Sequence, residues 1–121
     1  MKDYKAMCKK YYDELVEIGL KPTMFSKITV EELKPGVHAL CRYDFSGKSD
    51  TFTLRIAKNM VCDKTPEIFL RSLIVHELIH TMPGAEEHGD AWNQYADYVS
   101  MFFPDLIITE FCDIPDYTEK I

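Results

Sequence analysis

Residues 3–19 place apolar or aromatic side chains at Tyr4, Met7, Cys8, Tyr11, Tyr12, Leu15, Val16 and Ile18. That spacing puts them on one stripe of a helix, and Gly19 with Pro22 beyond it marks where the helix stops. Residues 24–30 are rich in β-branched side chains and predict a short strand, and Lys34-Pro35-Gly36 predicts a turn. From Val37 to Phe45 the apolar positions Val37, Ala39, Cys41, Tyr43 and Phe45 alternate with His38, Leu40, Arg42 and Asp44, the period of a half-buried strand. A loop follows at Ser46-Gly47-Lys48-Ser49, and then a second alternating run with Phe52, Leu54 and Ile56 on one face. The two runs predict an antiparallel hairpin. Residues 51–57 shortly precede a buried helix, and two readings of their strand stay open: an edge free for an extended peptide, or a strand covered on both sides or merely exposed to solvent.

Thr65-Pro66-Glu67 predicts a helix start, with Thr65 as capping residue, a proline suited to the first turn and an acid that favours the N-terminus. Phe69, Leu70, Leu73, Ile74 and Ile79 make this helix apolar on nearly every side, so it is expected to be the central one, ending at Pro83-Gly84. A third helix is expected to open near Gly89 or Asp90 and to present Trp92, Tyr95, Val99 and Phe102 before Pro104. The expected class is α+β: an N-terminal helix, a small antiparallel sheet, a central helix and a following C-terminal helix, in a single domain over residues 1–121.

Composition narrows the function classes. A net charge of −6 offers no broad basic surface for nucleic acid or anionic membrane. The chain shows no apolar run of membrane-spanning length and no signal-peptide core, and Cys8, Cys41, Cys62 and Cys112 form no C-x-x-C pair. Reduced thiols, a cytoplasmic location and a monomer are expected. The stretch from Asp105 to Glu119 is expected to be a solvated acidic end.

The chemistry concentrates in residues 76–88. On a helix, His76 and His80 stand one turn apart and can direct two imidazoles at one metal ion, with Glu77 beside it. H-E-x-x-H fixes three positions, and a chance match in a chain this short is on the order of one in a few hundred. A catalytic zinc takes three protein ligands and leaves a position for water, so a third donor is needed. His88, eight residues after His80 and past the break at Pro83-Gly84, is the expected one; Glu86, Glu87, Asp90 and Asp97 are the substitutes. In this arrangement Zn2+ activates a water, and Glu77 takes its proton and later passes it to the leaving amine. For the oxyanion, Tyr95, Tyr98, His38 and Arg42 stay open as candidates.

The run His76-Glu77-Leu78-Ile79-His80-Thr81-Met82-Pro83-Gly84, followed by His88-Gly89 and Trp92, resembles the active-site signature of the SprT-like metallopeptidases, the family that includes the Spartan proteases. The resemblance covers residues 65–99 and is architectural before them. It implies a zincin-like fold, zinc held by His76, His80 and His88, Glu77 as the base, and a protein or peptide substrate. The spacing of eight between His80 and His88 separates the chain from metzincins, where it is six. The zinc ribbon and basic DNA-binding extension carried by many members have no counterpart here, so DNA-linked proteolysis is not expected. The competing expectations are a catalytically silent metal-binding or partner-binding domain of the same fold, and a hydrolase of some non-protein amide.

Overall fold

The computed structural model describes residues 1–45 and 50–108. They form three helices and one three-stranded sheet: α1 (Tyr4–Glu17), β1 (Lys27–Glu31), β2 (Ala39–Phe45), β3 (Asp50–Ala57), a 3₁₀ turn (Lys58–Val61), α2 (Glu67–His80) and α3 (Asp90–Phe102). Asp3 caps α1 by accepting the Ala6 N–H at 3.1 Å. At the other end Gly19, at φ 96°, turns the chain so that the Leu20 N–H reaches the Leu15 carbonyl at 3.0 Å. That left-handed conformation is one that glycine adopts without a Cβ penalty.

The sheet departs from the antiparallel expectation. β2 and β3 do pair antiparallel, with Cys41 opposite Leu54 and Tyr43 opposite Phe52. β1, however, runs parallel to β3, with Ile28 opposite Leu54 and Val30 opposite Ile56, so the sheet is mixed and its order is β1-β3-β2. The strand with the most buried face takes the middle: Phe52, Leu54 and Ile56 are all within the core. On the outer face Arg55 clasps Glu31 of β1 through Nε at 2.8 Å and a second nitrogen at 3.1 Å, which also holds the Glu31 carboxyl below its ordinary pKa. Since β3 is flanked by β1 and β2, the covered-strand reading of residues 51–57 holds and the free edge does not. The outer strands are β1 and β2. The loop predicted at residues 46–49 lies outside the described residues, as do Cys112 and the acidic end from residue 109; Cys8, Cys41 and Cys62 are free thiols.

One buried cluster joins Cys8, Tyr11 and Leu15 of α1, the inner face of β3, Leu70, Leu73, Ile74, Leu78 and Ile79 of α2, and Trp92, Ala96 and Val99 of α3. Arg71 ties the three helices. Its guanidinium lies 5.4 Å from the Tyr11 ring and 5.2 Å from the Phe103 ring and bonds Glu14 at 3.0 Å. Two local expectations are corrected. Thr65 does not cap α2: its hydroxyl donates to the Asn59 carbonyl at 2.6 Å, and the cap position falls on Pro66, which has no N–H to satisfy. On α3 the buried residues are Trp92, Ala96 and Val99, at helical spacing, while Tyr95 and the capping Phe103 are partly buried and Phe102 is 49% exposed. Among the described residues no helix is long and apolar enough to cross a membrane.

Truncating the central strand should therefore cost far more than truncating the outer one. Leu54, fully buried, should lose about 3 kcal/mol of stability as Leu54→Ala. Leu40, 43% exposed on β2, should lose less than about 1 kcal/mol as Leu40→Ala. Urea unfolding followed by circular dichroism measures both, and equal losses would contradict the strand order.

Candidate metal centre

The histidine motif closes α2. His76 and Glu77 lie on its last buried turns, 4% and 6% exposed, and His80 is its final residue. Thr81 ends the helix, its hydroxyl donating to the Leu78 carbonyl at 2.6 Å and accepting the Thr23 N–H at 2.9 Å. The chain then reverses. The Ala85 N–H bonds the Met82 carbonyl at 3.1 Å, Gly84 takes φ 78°, and His88 swings back over the end of α2. α3 starts immediately afterwards, its first turn closed by the Asn93 backbone and side-chain N–H groups on the Gly89 carbonyl, both at 2.9 Å.

The reversal brings the three histidines together. His88 Nε2 lies 3.0 Å from His80 Nε2 and 3.1 Å from His76 Nε2. Among the described residues this is the group of His, Cys, Asp and Glu side chains whose ligand atoms converge closely enough for one metal ion. Tetrahedral donors at bond lengths of ~2.0–2.1 Å stand about 3.3 Å apart, close to both separations at His88 Nε2. The donor chemistry fits as well. His80 Nδ1 sits 2.9 Å from the Ala85 carbonyl; an N–H donated there fixes the tautomer that leaves the Nε2 lone pair to face the metal. Burial, chiefly, lowers the His80 pKa, aided by the charge of His88, and so favours the neutral imidazole that a ligand must be.

Glu77 shares a cleft of about 380 Å³ with the three histidines. The opposite wall is residues 36–41, the turn and first half of β2, with Leu73 and Glu86 completing the lining. Burial raises the Glu77 carboxyl to about 8 in the metal-free protein. Cys41, on the facing wall, is pushed up to about 12 by burial and then by the Glu77 charge, which leaves an unreactive thiol. Of the substitute donors only Glu86 reaches the cleft, and none of Glu86, Glu87, Asp90 and Asp97 joins the converging group.

The oxyanion candidates separate clearly. The Tyr95 hydroxyl donates to the Pro83 carbonyl at 3.3 Å, the Tyr98 hydroxyl donates to the Ile18 carbonyl at the far end of α1, and Arg42 pairs with Asp44 at 3.1 Å in solvent. His38 alone of the four lines the cleft. Sequence reasoning assigned no role to Trp92, whose ring centroid lies 4.8 Å from those of His76 and His88 and 5.9 Å from that of His80. No motif in residues 36–41 marked them as the facing wall.

Compared with known proteins, the chain matches no family model, no curated protein and no solved structure.

The raised Glu77 value has a stability consequence. The folded protein holds this proton up to about 8, against an ordinary 4.5. Its stabilising contribution is therefore complete below pH 4.5 and is lost as the pH rises through about 8, by at most about 5 kcal/mol. Metal-free wild type should lose stability across that window relative to Glu77→Gln. Parallel pH profiles of the two, from urea unfolding in EDTA, would show that the carboxyl is not held neutral.

Proposed function

We propose that this chain is a zinc-dependent metallopeptidase of zincin-like fold, akin to the SprT-like enzymes that its motif resembles. The observation that carries the reading is the convergence of three imidazole Nε2 atoms in a cleft that also holds the Glu77 carboxyl. Three protein donors leave a coordination position for water, whereas structural zinc sites are usually closed by four. A structural site also has no use for a buried carboxylic acid beside it.

His76, His80 and His88 would hold the ion. A bound zinc ion supplies a polarised water and a Lewis acid for the scissile carbonyl. Glu77 accepts the proton of that water and delivers it to the departing amine, a role that its place in the cleft beside the three histidines suits. The Ala85 carbonyl keeps the His80 ring oriented through the cycle. An extended peptide entering the cleft would meet β2, an outer strand whose first half forms its wall, so main-chain pairing belongs to β2 and not to β3. Leu40 and Tyr43, both over 40% exposed on that strand, offer apolar contact to it.

The test combines metal and turnover. Wild type should bind one zinc per chain by elemental analysis and cleave an unstructured protein such as casein. His88→Ala should lose most of its zinc affinity. Glu77→Gln should keep the zinc and lose hydrolysis by about a hundredfold to ten-thousandfold. Zinc binding by a wild type that cleaves neither protein nor peptide would favour the silent binding domain instead, and unchanged zinc affinity in His88→Ala would remove that ligand.

A further inference from the structure

His76 and His80 are anchored by α2, and His80 also by the Ala85 carbonyl. His88 is different: it lies outside any helix and is solvent-exposed. His88 Nε2 lies 3.0 Å from His80 Nε2 and 3.1 Å from His76 Nε2, and wherever two of these nitrogens both present lone pairs they repel in the absence of a cation. A loop histidine held there needs something to hold it. The ring packed against it is Trp92, edge to face at 71° and 4.8 Å between centroids. The same indole meets His76 at 4.8 Å and His80 at 5.9 Å, is fully buried, and does not line the cleft that the three histidines line.

We propose that Trp92 is the positioning residue of the histidine cluster: its indole holds the three imidazoles in ligand geometry ahead of the metal and closes the face of the site turned away from the cleft. It rests on the metal-centre half of the reading above, and its test does not depend on hydrolysis. Four consequences give it content. The cluster is preorganised, so its metal affinity does not include the cost of ordering His88. The rear face admits no further ligand, so additional donors reach the ion only from the cleft, where Glu77 and the substrate are. The low coordination number favours zinc and cobalt over ions that require six ligands. The role belongs to the aromatic ring, because the indole Nε1 makes no hydrogen bond among the described residues.

The experiment is done on the full chain with Zn2+ and Co2+ as probes. In the EDTA-treated protein, NMR should show nuclear Overhauser contacts from the indole protons, those of the single tryptophan, to the His76 and His88 ring protons, and zinc should leave them in place. Trp92→Phe, which keeps a ring, should bind zinc within about threefold of wild type. Trp92→Leu should bind it about 10- to 100-fold more weakly and lose the intense visible absorption of four-coordinate Co2+. Ring contacts that appear only after zinc is added would overturn the proposal, since the metal would then be ordering the rings. So would a folded Trp92→Leu with wild-type zinc affinity and cobalt spectrum, and that result would leave the metallopeptidase reading intact. Should Trp92→Leu not fold, the metal-free spectrum of the native chain decides alone. A wild type that binds no zinc overturns this proposal and the metallopeptidase reading together.

Discussion

Burying a carboxyl and an imidazole inside an apolar helix is expensive, and the arrangement of this protein follows from how that cost is met. α2 is covered by the inner face of β3, by α1 and by α3, and nine of its residues, from Leu70 to Ile79, are buried. Such surroundings disfavour a free charge on Glu77. The carboxyl responds by keeping its proton. A divalent cation held by the three histidines would change the balance by placing positive charge beside Glu77. The same burial that makes the site uncomfortable when empty makes it receptive to a metal.

The local parts of this design were legible in the sequence. The helical stripe of residues 3–19, the alternation of residues 37–45 and 51–57, and the run of apolar positions after Pro66 each depend on neighbours a few residues away, and each element stands where its period placed it. The histidine trio was legible for the same reason, since two of its members are fixed by one helical turn and the third by a short reversal at Gly84. What escaped was set by partners distant in the chain. No pattern within residues 24–30 says that the strand there will run parallel to β3, a direction set by how the intervening chain, with β2 in it, crosses over. Thr65 had the right chemistry for a cap, but the Asn59 carbonyl took its hydroxyl. Phe102 and Phe103 are adjacent aromatics, and only the packing of Phe103 on Arg71 shows which of them turns inward. The cleft wall at residues 36–41 reads as an ordinary turn and strand until the fold sets it opposite α2.

The metal ligands and the wall they face come from separate parts of the chain. His76, Glu77, His80, His88 and Trp92 lie within one helix, one reversal and the first turn of the next helix, so the candidate site is a continuous segment. The wall is a different segment, β2 and the turn before it, set against α2. Chemistry and access are in this sense written in different places. Substitutions at Val37 or Leu40, which line that wall, reshape the cleft without altering any of the three histidines, and a lineage carrying the same segment from His76 to Trp92 is free to diverge in the wall set against it.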